Sequence, residues 1–101
     1  MTKAELVNEI AIKTGVDKMA VQTVVESMMK VIKNNMINQD NVYLRGFGSF
    51  VVKKRAQKIG RIITQNKSIV IPEHYIPAFK PAKTFTDKVK NARKKKEAQQ
   101  A

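Results

Sequence analysis

Cysteine is absent from this 101-residue chain, and histidine occurs once, as His74. Without cysteine the chain forms no disulfide framework and no thiolate metal site. A single histidine cannot build a histidine metal site by itself. We therefore expect no metal and no other cofactor, and we interpret His74 as a lone surface histidine rather than as a catalytic group.

Long apolar runs are also missing. No segment approaches the length of about 20 apolar residues that a transmembrane helix requires, and the N-terminus lacks the apolar core of a signal peptide. Aromatic residues make up 6% of the chain, so Val, Ile and Met supply most of the core. So short a chain forms one domain and buries little apolar surface alone, which favours a dimer. We expect one domain over residues 1–101, located in the cytoplasm.

Acidic residues are scarce in the second half of the chain. Residues 1–52 carry six basic and five acidic side chains, whereas residues 53–96 carry fourteen basic and two acidic ones. The first half is therefore typical of an ordinary folded module, and the second half carries the charge. A domain this basic favours a nucleic-acid partner. A membrane surface is disfavoured, because it would require a strongly amphipathic basic helix and the first two predicted helices have nearly balanced charge.

One stretch, between Val52 and Ile69, combines positive charge with isolated apolar residues. Its six cations have no acidic residue among them, and three isoleucines lie between them: Lys53, Lys54, Arg55, Lys58, Arg61 and Lys67, with Ile59, Ile62 and Ile63. Apolar groups surrounded by positive charge require a partner that is anionic outside and apolar inside. Nucleic acid has phosphates outside and stacked bases inside, so it meets both requirements.

The first half predicts two helices. Thr2 and Glu5 have the spacing of a capping box, Gly15 suits a helix end, and Asp17 suits the start of a longer helix. The apolar stripe of that second helix is wide enough for burial on two sides; it consists of Val21, Val24, Val25, Met28, Met29, Ile32 and Met36. Residues 38–41 close the helix.

The rest of the chain predicts strands and a final helix. Strand-like alternation of side chains begins at Val42 and again at Phe50. Between these two segments lies a tight turn, Gly46–Ser49, which folds Phe47 toward the core. The strand pattern continues from Val52 through Ile62 and resumes at residues 68–71, with a turn predicted at residues 64–67. Together these segments give a long two-stranded ribbon at about residues 53–76. Pro72, Pro77 and Pro81 indicate edge strands. Thr84 can cap a short last helix, and residues 93–101 form a basic, partly disordered tail.

The predicted fold class is α+β, with two N-terminal helices, a three-stranded antiparallel sheet bearing a long β-ribbon arm, and a short C-terminal helix. A phosphate-binding loop is the alternative interpretation of the two glycines around Phe47. It is disfavoured, because no Lys-Ser/Thr pair and no helix start follow. Catalysis would require converging titratable groups, which the basic half lacks, so we expect no enzyme.

These features resemble the HU/IHF family of bacterial histone-like DNA-bending proteins over roughly residues 1–92. The resemblance rests on the two opening helices and on three motifs: Arg45-Gly46-Phe47-Gly48-Ser49-Phe50, Arg55-Ala56 with Gly60-Arg61, and Ile76-Pro77-Ala78-Phe79-Lys80-Pro81-Ala82-Lys83. It implies an obligate dimer, with a homodimer favoured, whose two ribbon arms enter the minor groove of a DNA duplex.

The resemblance also implies which residues contact DNA. The residues that match basic arm positions of the family are Arg55, Lys58, Arg61 and Lys67. Those that match body and flank positions, which meet phosphates in the family, are Lys3, Lys80 and Lys83. Lys53, Ile62 and Ile63 complete the predicted DNA-binding set.

The arm tip departs from the family pattern. Relatives carry a wedge proline within an Arg-Asn-Pro triplet, and here Ile62 and Ile63 follow Arg61. Isoleucine is among the apolar side chains that wedge between base pairs, so Ile63 is predicted to intercalate. The alternative is that Ile62 and Ile63 only pack within the ribbon. Adjacent strand residues point to opposite faces, so at most one of the two acts as the wedge.

The expected function is therefore architectural. The protein binds duplex DNA in the minor groove with weak sequence preference, bends and compacts it as a dimer, and prefers nicked or distorted DNA. Its expected location is the bacterial nucleoid. Two alternatives remain: a site-specific IHF-like subunit in recombination or transcription complexes, and a protein that binds structured RNA. The four phenylalanines, Phe47, Phe50, Phe79 and Phe85, are expected in the core, which leaves only Tyr43 and Tyr75 as candidates for exposure and disfavours a single-strand reader.

Overall fold

The helical part of the fold consists of two capped helices. The computed structural model describes the backbone of residues 1–62 and 67–100, and the side chains of residues 1–60 and 67–92. Helix α1 spans Lys3–Thr14 and helix α2 spans Lys18–Ile37. The Thr2 hydroxyl accepts a hydrogen bond from the Glu5 amide, the Asp17 side chain accepts one from the Ala20 amide, and Gly15 ends α1 in a left-handed conformation. All three predicted caps are confirmed.

The core of the single chain is small. Among the described side chains, Val7 of α1 and Val21 of α2 are the buried apolar residues. Farther along α2, Val24, Met28 and Val31 are exposed. One part of the apolar stripe on α2 therefore packs within the chain, while another part faces outward. None of the helices in the described part of the chain has the apolar length that a bilayer crossing requires.

A three-stranded antiparallel sheet, here called the body sheet, lies beside the helices. It comprises β1 (Val42–Leu44), β2 (Gly48–Arg55) and β5 (His74–Pro81), in the order β1-β2-β5. Strand β5 is therefore an edge strand, as its prolines predict, because a proline has no amide to donate to a second neighbour. Pro77 lies opposite Val52, and Pro81 lies opposite Gly48.

The turn between β1 and β2 anchors an aromatic cluster. Leu44 accepts a hydrogen bond from the Phe47 amide at 3.0 Å, and Gly46 has φ 82°, which only glycine adopts without strain. The Phe47 ring is stacked on Phe85, with centroids 5.7 Å apart, and is tilted against Phe79 at 5.3 Å. The turn therefore folds Phe47 onto other aromatic rings, as predicted, but Phe47 and Phe79 are 46% and 40% exposed in the single chain, so their predicted place in the core is not confirmed.

The ribbon continues the β2–β5 pair in the same register, after a break of two residues on each strand. Strand β3 spans Lys58–Ile62, strand β4 spans Lys67–Ile71, and they pair only with each other; we call this pair the arm. The prediction of one unbroken strand from Val52 through Ile62 is therefore wrong, because the pairing stops at Arg55 opposite His74 and resumes at Lys58 opposite Ile71. Pro72 lacks an amide, so the ladder cannot continue across this break. Of the predicted turn at residues 64–67, residues 64–66 lie outside the described residues, and Lys67 begins β4.

The last helix, α3, spans Lys83–Gln100 and is longer than the short helix that the sequence predicts. It begins one residue before Thr84, so Thr84 is not its cap. The Ala82 carbonyl accepts from the Thr86 amide, and the Ala82 amide donates to the Phe47 carbonyl, which ties the helix start to the turn. The predicted partial disorder of residues 93–101 stays a prediction.

Candidate nucleic-acid interface

The register of the body sheet gathers several predicted site residues on one face. Successive strand residues point to opposite faces, and directly paired residues share a face. Ser49 pairs with both Tyr43 and Lys80, so these three residues share one face of the sheet, here called the outer face. Every second residue from them along each strand lies on the same face. Its members are Tyr43, Ser49, Val51, Lys53, Arg55, His74, Ile76, Ala78 and Lys80. Lys53, Arg55 and Lys80 are exposed, so three predicted DNA contacts share one accessible surface.

The opposite face, here called the inner face, lies toward the helices. Val42 and Leu44 line an open groove together with Val24, Met28 and Ile32 of α2. Phe50 and Phe79 pair across the strands with ring centroids 5.0 Å apart. The sheet therefore separates an apolar side from a cationic one.

Lys54 belongs to the inner face, although it lies between two outer-face cations. Its Nζ atom is 3.4 Å from Oε2 of Glu73, in the break between β4 and β5. An exposed ion pair of this kind contributes little to stability. It does reduce the charge that Lys54 offers to an external anion, so the run Lys53-Lys54-Arg55 splits into two outer-face cations and one inner-face ion pair.

A basic hollow extends the outer face toward the start of α3. Arg45, Gly46, Ser49, Lys80 and Ala82 are among the residues that line it. Lys83 follows as the first residue of α3. Arg45 is not among the site residues that the sequence predicts. Its position depends on the pairing of Tyr43 with Ser49 and of Ser49 with Lys80, which brings the turn after β1 close to Lys80 and which the sequence alone does not show.

The arm carries the remaining predicted contacts. Lys58 lies opposite Ile71, and Lys67 lies opposite Ile62. Arg61 and Ile62 are placed in β3 by their backbone, and their side chains lie outside the described residues. Ile63, the predicted wedge, lies outside them entirely. The arm and its root contain no acidic residue from Lys53 to Pro72.

Lys3 is held by a carboxylate. Its Nζ atom lies 2.9 Å from Oε1 of Glu26, and Nε2 of Gln22 donates to the same oxygen at 3.3 Å. The hydrogen bond from Lys3, then that from Gln22, and the charge of Lys3 hold the pKa of the Glu26 carboxyl below its ordinary value. Lys3 therefore begins α1 as a cation that is already paired with an acid.

The described part of the chain contains no cluster of residues that could bind a metal ion. No group of three or more His, Asp or Glu residues is close enough there to hold an ion. The site is a surface of exposed cations on the body sheet and the arm. Such a surface defines a protein that contacts a polyanion through charge and shape.

Comparisons with known proteins identify the class. The family described as "Bacterial DNA-binding protein" matches residues 1–90. The chain is 39% identical to the DNA-binding protein HU of Thermus thermophilus over 90 residues, which cover 89% of this chain and 93% of the relative. It is 38% identical to the DNA-binding protein HU of Thermotoga maritima, over 89% of this chain and all of the relative.

A solved structure agrees with these relatives. The protein in the Anabaena HU–DNA cocrystal structure superposes with a TM-score of 0.83 at 36% identity, over 88% of this chain and 97% of that one. The chain belongs to the HU/IHF family of bacterial DNA-binding proteins, as the sequence motifs predict.

Proposed function

We propose that this protein is an architectural DNA-binding protein of the bacterial nucleoid, which binds duplex DNA, bends it and compacts it as a dimer. The observation that carries the proposal is the cationic outer face of the body sheet, where Lys53, Arg55 and Lys80 lie exposed together. The arm continues the same positive charge beyond the sheet. The HU relatives and the HU–DNA cocrystal support duplex DNA as the polyanion.

The chemistry of the surface favours binding with weak sequence preference. Lysine and arginine neutralise phosphates and release counterions, so the affinity depends steeply on salt and little on base order. An arm in the minor groove meets a degenerate pattern of base edges, which distinguishes mainly A·T from G·C pairs. DNA that is already nicked or distorted costs less energy to bend, so it binds better than an intact duplex.

A second copy of this chain is the proposed cover for the outward-facing side of α2. Val24, Met28 and Val31 are exposed there, and an open groove runs between α2 and β1. Leaving so much apolar surface in water is unfavourable for a small domain. In a dimer the two chains cover these surfaces for each other and present two arms, which a clamp around a duplex requires. Because each copy of this chain supplies both the exposed side of α2 and the groove, two copies are enough to cover these surfaces, and a homodimer is the proposed assembly.

Titrations at two salt concentrations test the proposal. The DNA partners are an intact random-sequence duplex and the same duplex with one nick, and a hairpin RNA serves as the competitor. We expect submicromolar binding at low salt, tighter binding to the nicked duplex, and a loss of affinity of several decades on raising the salt about fourfold. Sedimentation of the free protein gives its oligomeric state.

Preferential binding to hairpin RNA, or an affinity that does not change with salt, would overturn the proposed function. A strong preference for one duplex sequence would instead indicate a site-specific protein. A monomer at micromolar concentration would contradict the proposed dimer.

A further inference from the structure

The two faces of the arm differ in how well their apolar groups are covered. Direct pairing puts Ile59 opposite Val70 and Gly60 opposite Ile69. Because side chains alternate along each strand, Ile59 and Val70 share one face of the arm, and Gly60 and Ile69 share the other. Ile71 lies two residues after Ile69 and therefore belongs to the Gly60 face.

The Gly60 face covers its own isoleucines. A Cβ atom at residue 60 would lie 3.3 Å from Cδ1 of Ile71 and 3.4 Å from Cγ1 of Ile69. Both side chains therefore lean over the bare glycine backbone. Their exposure is correspondingly moderate, 43% for Ile69 and 37% for Ile71. This face requires no partner to shield most of its apolar surface.

The opposite face leaves its apolar pair uncovered. Ile59 is 72% exposed and Val70 is 62% exposed, and they form a cross-strand pair. Two large β-branched side chains side by side make a small apolar ridge in water, which is unfavourable unless a partner covers it. We call this the Ile59–Val70 ridge.

Charge identifies the kind of partner that can cover the ridge. From Lys53 to Pro72 the chain has cations and no acidic residue. The arm of a second copy would bring the same positive charge against this one, and like charges repel. The minor groove of a duplex is bordered by phosphates and lined by deoxyribose, so it offers negative charge at its rim and apolar surface within.

We propose that the Ile59–Val70 ridge is the groove-facing side of the arm and packs against the sugars that line the minor groove, while Ile69 and Ile71 point away from the duplex. Lys58 and Lys67 share the face of Gly60 and reach the phosphates at the groove rim through their long, flexible side chains. This inference rests on the proposed function and adds the orientation of the arm and the residues that contact the groove. The ridge contributes affinity that is apolar, so it survives at salt concentrations that screen the lysines.

The absence of cysteine makes a direct test available. Val70→Cys and Ile69→Cys each give the protein a single thiol, on neighbouring residues of β4 and on opposite faces. The rate of alkylation by a neutral maleimide is measured on the dimer with and without a saturating duplex. A thiol that faces the groove is both less accessible and closer to the phosphates, whose potential raises its pKa, so both effects slow its alkylation and both report the face that meets the duplex. We expect the duplex to slow alkylation of the Val70→Cys protein about tenfold more than that of the Ile69→Cys protein.

Equal protection of the two thiols, stronger protection of the Ile69→Cys protein, or no protection of either would overturn the proposed orientation, even where the protein binds DNA. Failure of the unsubstituted protein to bind duplex DNA would refute the proposed function instead. Protection of the Val70→Cys thiol that rises with protein concentration in the absence of DNA would show that a second copy covers the ridge, which also overturns the inference.

A second measurement uses affinity. Ile59→Thr combined with Val70→Thr keeps β-branched residues in the arm and removes apolar surface from the ridge, and Ile69→Thr is the matched control. We expect the double variant to bind the duplex about tenfold more weakly at every salt concentration, with the salt slope unchanged. A weakening that comes with a smaller slope, or an equal weakening in the Ile69→Thr control, would contradict a groove-facing ridge.

Discussion

The Nζ atom of Lys3 lies 2.9 Å from Oε1 of Glu26, so the first residue of α1 is tied to the middle of α2. Lys3 is also a predicted phosphate contact. The carboxylate and a DNA phosphate therefore compete for the same ammonium group. Since the pair is exposed to solvent, the competition is open to a ligand that approaches from outside.

Removal of the acid releases the lysine. We predict that Glu26→Gln strengthens binding to a random-sequence duplex about threefold at low salt, because Lys3 no longer has to break an ion pair before it contacts a phosphate. Fluorescence anisotropy of a labelled duplex measures the affinity. The matched control is Glu9→Gln, which releases Lys13 from an ion pair of 3.3 Å within α1 and removes the same charge. An equal gain in both variants would show that net charge alone is responsible.

The same ion pair predicts a pH dependence of stability. Lys3 and Gln22 hold the pKa of Glu26 below its ordinary value of 4.5, so the folded protein releases this proton more readily than the unfolded chain does. The pair therefore stabilises the fold above about pH 4.5, and its contribution is lost as the pH falls through the lowered pKa. Urea unfolding followed by circular dichroism should show a smaller loss of stability on acidification for Glu26→Gln than for the unsubstituted protein. Parallel curves would contradict the role of the pair.

Gly48 is predicted to tolerate no side chain. A Cβ atom there would lie 2.6 Å from the Lys80 carbonyl oxygen and 2.6 Å from Cε2 of Phe79, and backbone atoms cannot move aside cheaply. We expect Gly48→Ala to lower the free energy of unfolding by about 3 kcal/mol. Gly60→Ala is the control, because the nearest atoms are the flexible ends of Ile69 and Ile71, and its effect should stay within about 1 kcal/mol. Chemical denaturation measures both, and equal losses would refute the packing described for Gly48.

The wedge at the arm tip remains a prediction that a bending measurement checks. Ile63→Ala should make the bend of a short duplex shallower by about 20° or more, because alanine cannot fill an opened base step. Energy transfer between dyes at the two duplex ends reports the bend. Ile62→Ala is the control, since at most one of these neighbours can act as the wedge. An unchanged bend with Ile63→Ala would exclude Ile63 as the wedge.

Local chemistry made much of this fold predictable. Thr2, Gly15 and Asp17 mark helix ends through their own side chains or conformational freedom, so the neighbouring residues suffice to place α1 and α2. The turn at Gly46 and the edge position of Pro77 follow from equally local constraints. The strand pattern indicated the ribbon, the family motifs indicated its role as a DNA-binding arm, and the matched relatives confirm the family.

The break between body sheet and arm could not be predicted in the same way. Alternation continues through Ala56 and Gln57, so the pattern on that strand gives no sign of an interruption. The interruption coincides with Pro72 on the other strand, which has no amide to donate, and the residues that lie opposite Pro72 are known only once the strands are paired. Arg45 escaped prediction for the same reason, since its proximity to Lys80 depends on strand pairing.

The division of the run Lys53-Lys54-Arg55 between two faces is the central claim, and one comparison of salt slopes tests it most directly. The slope of log affinity against log salt is measured on a random-sequence duplex for Lys53→Gln and Lys54→Gln. The outer-face assignment predicts that Lys53→Gln lowers the slope by about 0.9 for each phosphate that the variant no longer neutralises, while Lys54→Gln, on the inner face beside Glu73, leaves it nearly unchanged. A Lys54→Gln slope that falls as far as the Lys53→Gln slope, or farther, would contradict the account.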